Sequence, residues 1–227
     1  MMIDLQTTVA DMVLEHSECA SVFQRHHIDF CCKGHITIEA AIGKAGVAPA
    51  ALVQELTRAI SDRNGDGDRD FRAMTTSDLV AHIVSKHHTY LRQTLPFVQS
   101  LAAKVSRVHG EHDPALREID RLVSELSDAL LPHLDVEEET LFPALQADPI
   151  DRKLVDGELS SMQKEHLGVA RLLERIRMTA KDFELPKWAC RSYRALFAQL
   201  ERIESDVFKH VHLENHVLLP RFGGMRK

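Results

Sequence analysis

Two short stretches of this sequence nearly repeat each other, and they restrict the fold more than any other feature. His133-Leu134-Asp135-Val136-Glu137 is followed by Leu141-Phe142-Pro143, and His210-Val211-His212-Leu213-Glu214 by Leu218-Leu219-Pro220. Each copy sets an imidazole and a carboxylate four residues apart, a spacing that puts both on one face of a helix, within reach of one metal region. An apolar pair and a proline close each copy at the same offset, so the two helices are expected to run equally far past the site and stop in the same way. The apolar neighbours at helical spacing aim the His and Glu toward the interior, where polar groups are costly without partners. A metal ion satisfies several of them at once. The plainer alternative is a duplicated packing motif with half-buried histidines, and the polarity of the inward face argues against it.

The 227 residues allow more than one folding unit without requiring two large domains. An apolar content of 44% and a charged content of 27% fit a soluble globular protein. The formal charge of -6 is spread along the chain, so attraction to a nucleic-acid backbone is not expected. No run approaches the roughly 18 apolar residues of a membrane span. The first twenty residues contain Asp4, Asp11, Glu15 and Glu18, where a signal peptide would have an apolar run. Four cysteines, Cys19, Cys31, Cys32 and Cys190, are too few for a disulfide scaffold and form no C-x-x-C pair. A reducing cytoplasm is the expected location.

Residues 1 to 60 read as a small helical unit. Apolar residues three and four apart mark helices over Thr8–Leu14, Ser17–Arg25, Thr37–Lys44 and Pro49–Ile60, with Gly34 and Gly43 or Gly46 as breaks. Such a unit buries a modest core, so docking on the rest of the chain or on a second copy, as a homodimer, is expected. Its distinctive link is His26-His27-Ile28-Asp29-Phe30-Cys31-Cys32-Lys33-Gly34-His35. Adjacent cysteines should point apart, and a disulfide between them would be strained. A thiol role in metal transfer or dimer linkage competes with a structural one; Lys33 and the nearby histidines would favour a thiolate.

Residues 61 to 74 read as a flexible acidic linker. Its opening resembles a calcium loop with Gly67 at the sixth position, but Ala73 stands at the twelfth, where a bidentate glutamate is needed.

From 75 to 227 the pattern is strongly helical. Ser77 is a candidate cap for a first helix through Leu79, Ile83, Leu91 and Leu95 toward Val105, with Pro96 a candidate kink. The second runs from Pro114 to Leu145 with a bend at Pro132, the third from Pro149 to Thr179 and the fourth from Pro186 to Leu219. The expected fold is all-α, an up-down-up-down four-helix bundle preceded by a small helical domain, with helices two and four parallel and their His-x-x-x-Glu faces at similar depth. The first helix offers His88, with His82 and His87 as competitors, and His109 at its end. The second offers His133 and Glu137, the third His166, the fourth His210 and Glu214. That donor set is too large for one tetrahedral zinc and suits two octahedral first-row ions bridged by the glutamates, iron before manganese before zinc. Glu138 and Glu139 are expected to face solvent or a channel mouth, and His212 and His216 to turn away from His210. Trp188 and Cys190 read as core packing.

The bundle resembles a hemerythrin-like domain, and the whole chain resembles the repair-of-iron-centres family of di-iron proteins. Asp29-Phe30-Cys31-Cys32 carries the resemblance in the N-terminal part, and Arg107-Val108-His109, Glu165-His166 and the two His-x-x-x-Glu elements carry it in the bundle. The resemblance implies His88, His109, His133, Glu137, His166, His210 and Glu214 as metal ligands, and selects His88 over its neighbours. It implies two iron ions per chain in a non-haem di-iron centre, oxo- or hydroxo-bridged when oxidised. The implied function is repair, under stress, of iron-sulfur clusters damaged by nitric oxide or oxidants. Damaged iron-sulfur proteins are then the partners, with iron delivery, and nitric-oxide reduction at the same centre, as the implied chemistry. Reversible binding or sensing of dioxygen or nitric oxide is the alternative, and a structural protein with incidental metal a third. Lys33-Gly34 stands where many members have two glycines.

Overall fold

A computed structural model of the chain describes residues 3–62 and 70–223. Most of the calcium-like stretch and half of the expected linker fall on residues 63–69, outside the described residues. Two compact units divide the chain, one formed by Met1–Thr75 with Phe208–Lys227 and the other by Thr76–Val207. Among the described residues the backbone is helical apart from turns and one isolated bridge, between Thr8 and Thr37.

In the first unit, helices α1 (Val9–Glu15), α2 (Cys19–Arg25), α3 (Ile38–Ala45) and α4 (Pro49–Ser61) lie close to the expected bounds. The two bridged threonines are also caps: Thr8 Oγ1 accepts from the Asp11 N–H at 3.0 Å and Thr37 Oγ1 from the Ala40 N–H at 3.2 Å. Gly46, at φ 66°, supplies the left-handed residue that ends α3, and Pro49 opens α4. Val9, Phe23, Ile38, Leu52 and Leu56 form a fully buried core. Between α2 and α3, Asp29 Oδ1 accepts from the Cys31 and Cys32 N–H groups at 3.0 and 2.8 Å, folding the cysteine pair into an Asx turn.

The second unit is built from four long rods. The first joins α5 (Thr76–Ile83) to α6 (Thr89–His109) through a π turn, Val84–His88. The second joins α7 (Ala115–Val136) to α8 (Phe142–Gln146) through another, Glu137–Leu141. The third is α9 (Arg152–Thr179), started by Asp151, whose carboxylate accepts from the Leu154 N–H at 3.1 Å. The fourth is α10 (Arg191–Leu213), which belongs to this unit up to Val207; its last residues and the π turn over Glu214–Leu218 belong to the first unit. Ser77 lies inside α5, which starts two residues earlier than a Ser77 cap requires. α6 contains Pro96 and α7 contains Pro132.

Cross-helix pairs fix the direction of the rods. His88, near the start of rod one, faces Glu137 and Glu138 late in rod two, and Arg175, near the end of α9, pairs with Glu118 at the start of α7. His87 meets Asp206 late in α10. Successive rods are therefore antiparallel, as in an up-down-up-down bundle. Leu79, Leu91, Leu122, Leu126, Val155, Leu196 and Ile203 are among the residues that fill its interior.

The three π turns have no counterpart in the periodicity of the sequence. In each, an N–H reaches back five residues: Thr89 to Val84 O, Phe142 to Glu137 O and Leu219 to Glu214 O. Each turn begins or ends on an expected metal ligand, namely His88, Glu137 and Glu214, and the extra residue re-aims the side chains around it.

Gly34 is a packing requirement of the cysteine loop. A Cβ there would lie 2.3 Å from Phe30 O and 2.9 Å from Ala10 Cβ, and the first of these is backbone that cannot step aside. Lys33 has no positive φ, so glycine is not needed at that position. Gly34→Ala is expected to cost about 1–3 kcal/mol by overpacking, a fall in Tm of about 2–4 °C per kcal/mol for a chain of this size. Lys33→Ala should leave Tm in place. Thermal unfolding followed by circular dichroism checks both.

Candidate metal centre

Glu137 is the first residue of the second π turn and is 1% exposed. Its Oε2 lies 3.4 Å from His88 Nε2, while its Oε1 lies 3.2 Å from His133 Nε2 and 3.9 Å from His166 Nε2. One carboxylate thus divides its two oxygens among imidazoles from three rods.

The outer nitrogens of two of these rings are held by carboxylates. His88 Nδ1–H donates to Glu138 at 2.9 Å, and His133 Nδ1–H donates to Glu165 at 2.7 Å. A carboxylate can only accept, so the proton sits on Nδ1 and the Nε2 lone pair points inward. Arg92 donates to Glu138 at 3.0 Å and pairs with Asp135 at 2.7 Å, and the Ser161 hydroxyl donates to Glu165 at 3.0 Å. Burial pushes both carboxyls up, but the bonds from His88 and Arg92 to Glu138, and from His133 and Ser161 to Glu165, outweigh it and hold each below the usual carboxylate range. Phe142 stacks against His88 with ring centroids 5.7 Å apart.

On the C-terminal helix, His210 and Glu214 repeat the His133–Glu137 spacing, with His210 Nε2 2.8 Å from Glu214 Oε1 and both side chains fully buried. With one ligand atom taken from each side chain, two groups form whose members lie within 4.8 Å of one another: His88, Glu137, His210 and Glu214, and His133, Glu137, His166 and Glu214. Both glutamates belong to both groups. Four imidazoles and two carboxylates form a buried set of nitrogen and oxygen donors, which fits divalent first-row metal ions.

His109 is not brought to these groups. It is the last residue of α6, 21 residues beyond His88, or about 30 Å along the axis at ~1.5 Å per residue. Its Nε2 lies 3.3 Å from Cys190 Sγ, with Trp188 beside it at 5.7 Å between centroids. The competitors of His88 also lie elsewhere: His87 Nδ1 is 3.0 Å from Asp206, and His82 packs on His87. Trp188 and Cys190 are exposed instead of core, because α10 begins only at Arg191 and both precede it.

Glu138 supports His88 from a position expected to face solvent or a channel mouth. His212, Asn215 and His216 also have roles that the sequence left open. His212 Nδ1–H donates to Phe30 O at 3.1 Å, while Asn215 Nδ2 and His216 Nε2 both donate to Cys31 O, at 3.0 and 2.8 Å. Burial first, then the neighbouring His216, drives His212 down to about 3, so it acts as a neutral donor. The cysteine sulfurs lie 3.7 Å apart, not turned away from each other. Burial, reinforced by Cys32 and Asp29, pushes the Cys31 thiol well up, the reverse of the expected activation by Lys33 and histidines.

Residues 79–222, more than half of the chain, match the Hemerythrin HHE cation binding domain. Residues 5–60 match the ScdA N-terminal family, a Domain of Unknown function (DUF542). The chain is 30% identical over 204 residues, 90% of each chain, to iron-sulfur cluster repair protein YtfE of Yersinia pseudotuberculosis. The chain belongs to this iron-sulfur cluster repair family. A second member, iron-sulfur cluster repair protein ScdA of Staphylococcus haemolyticus, is 29% identical over 226 residues, covering 98% of this chain and 100% of the relative. The hemerythrin match encloses all six side chains of the two groups, and the N-terminal match encloses the cysteine pair.

Removing a carboxylate that orients a ligating histidine typically costs 10–100-fold in metal affinity. Glu138→Gln and Glu165→Gln are each expected to weaken metal binding by about that factor, and the exposed Glu139→Gln to leave it unchanged; competition with a chromophoric chelator measures this. His109→Ala should keep the full metal content by elemental analysis.

Proposed function

We propose that this chain is a di-iron protein that restores damaged iron-sulfur clusters by delivering iron, and that it works in the cytoplasm. The observation that carries the reading is the divided carboxylate of Glu137, one oxygen toward His88 and the other toward His133 and His166. Glu214, shared by both groups, is its counterpart. In this reading His88, His133, His166, His210, Glu137 and Glu214 would hold two irons, with both glutamates available to both ions, since a carboxylate has two donor oxygens and a neutral imidazole one. When bound, the iron pair supplies exchangeable iron and redox equivalents at a buried position.

The chain's own residues make that position selective. Glu138 and Glu165 keep protons on the outer nitrogens of His88 and His133, so the inner lone pairs stay available to metal. Arg92 neutralises Glu138 and Asp135 at the outer rim. Phe142, buried and stacked on His88, gives the site an apolar wall. Family membership supports the repair role, since the relatives are themselves iron-sulfur cluster repair proteins. Among the described residues no helix is long and apolar enough to cross a membrane.

The test adds the iron-loaded protein to a hydratase whose cluster has been damaged by nitric oxide. Hydratase activity should return as iron leaves the protein, faster than with an equal amount of ferrous salt, and the metal-free chain should restore nothing. Equal restoration by the metal-free chain would refute delivery. No restoration, with iron retained and nitric oxide or dioxygen bound reversibly, would favour the binding-module alternative.

A further inference from the structure

We propose that Asp29, Cys31 and Cys32 form a second metal site, a tetrahedral thiolate site for a thiophilic divalent cation such as Zn2+ or Fe2+. The proposal rests on the loop's own geometry and stands apart from the di-iron reading. The two sulfurs are 3.7 Å apart, and one ligand atom from each of Asp29, Cys31 and Cys32 lies within 4.8 Å of the others. A tetrahedral ion with bonds of about 2.3 Å to sulfur separates two thiolates by about 3.8 Å, and a thiolate from a carboxylate oxygen by about 3.6 Å. The Cys31 Sγ to Asp29 Oδ1 distance is 3.3 Å. The three donors therefore already stand near the spacing of three corners of such a site, while a disulfide would need the sulfurs at about 2.05 Å.

The loop is held in this shape from two sides. Asp29 Oδ1 ties down the Cys31 and Cys32 N–H groups. His212, Asn215 and His216 donate to the carbonyls of Phe30 and Cys31. Pre-formed loops of this kind lose little conformational freedom on binding an ion. Cys31 is buried and Cys32 partly exposed, so the site opens on the Cys32 side. Three protein donors leave a fourth tetrahedral position for water or for a ligand from another molecule, the arrangement of an exchangeable rather than a closed structural site. Binding converts two thiols to thiolates and releases two protons to solvent, with no change of oxidation state: M2+ + 2 RSH → M(SR)2 + 2 H+.

Cobalt(II) added to the full-length protein reports the site, because sulfur-to-cobalt charge-transfer absorption arises only from thiolate ligands and not from the His and Glu centre. We expect one equivalent of cobalt with this band in the natural sequence and in Cys190→Ser. The band should vanish in the Cys31→Ser/Cys32→Ser double variant, with helical circular dichroism and metal content of the His and Glu centre retained. Asp29→Asn keeps the backbone acceptor but loses the charge, and should weaken cobalt binding at least about tenfold. A second readout uses the natural sequence alone: one equivalent of Zn2+ should slow alkylation of Cys32 at least about tenfold, mapped by peptide mass spectrometry, and leave Cys190 unaffected. No charge-transfer band in the natural sequence, a band that survives in the double variant, unchanged affinity in Asp29→Asn, or no protection of Cys32 by zinc would each overturn the assignment.

Discussion

The fold depends on placing one carboxylate, Glu137, in the interior of a helical bundle against three imidazoles. Burying an ionised carboxylate costs several kcal/mol even after relaxation, comparable to the gain from burying two or three leucines at about 1.5–3 kcal/mol each. The bundle meets that cost locally. Imidazoles from the first, second and third rods face the two oxygens of Glu137, and two of those rings are fixed from behind by Glu138 and Glu165. The buried leucines, valines and isoleucines of the bundle supply the stability that lets such a polar cluster persist.

The π turns express the same constraint in the backbone. A regular α-helix puts residues four apart about one turn apart on the same face, which suffices to align His133 with Glu137. The wider turns at Val84–His88, Glu137–Leu141 and Glu214–Leu218 shift the register just before His88 and just after Glu137 and Glu214, so that the rods continue packing with their apolar faces inward. The C-terminal stretch uses its two faces differently. His210 and Glu214 enter the two ligand groups, whereas His212, Asn215 and His216 grip the loop carrying Cys31 and Cys32. Metal ligands and thiol-loop anchors alternate along one short segment.

Much of this was legible in the sequence because it is periodic. The four N-terminal helices and the four bundle rods follow from apolar spacing with Thr, Pro and Gly punctuation, and the paired His-x-x-x-Glu elements marked four of the six side chains in the two groups. His88 and His166 were reached through helix count and family resemblance. His109 was drawn in by the same resemblance, yet helix rise alone carries it far from His88. Three kinds of feature left no periodic signal. The π turns arise from tertiary packing and have no residue signature. The partners of Glu138 and Glu165 are histidines on other rods, so their spacing in sequence is uninformative. The anchors His212, Asn215 and His216 bind backbone carbonyls, which every residue possesses. Trp188 and Cys190 fit a core pattern in the sequence, yet both are exposed because the last helix begins after them.

Whether Glu137 serves two metal ions at once is tested most directly by Mössbauer spectra of iron-loaded Glu137→Ala and His166→Ala. Loss of a shared carboxylate should change both iron sites together and lower total occupancy, whereas loss of His166, with a single inward nitrogen, should perturb one iron while the other keeps its parameters. A one-sided change in Glu137→Ala together with an equal change at both irons in His166→Ala would contradict the account.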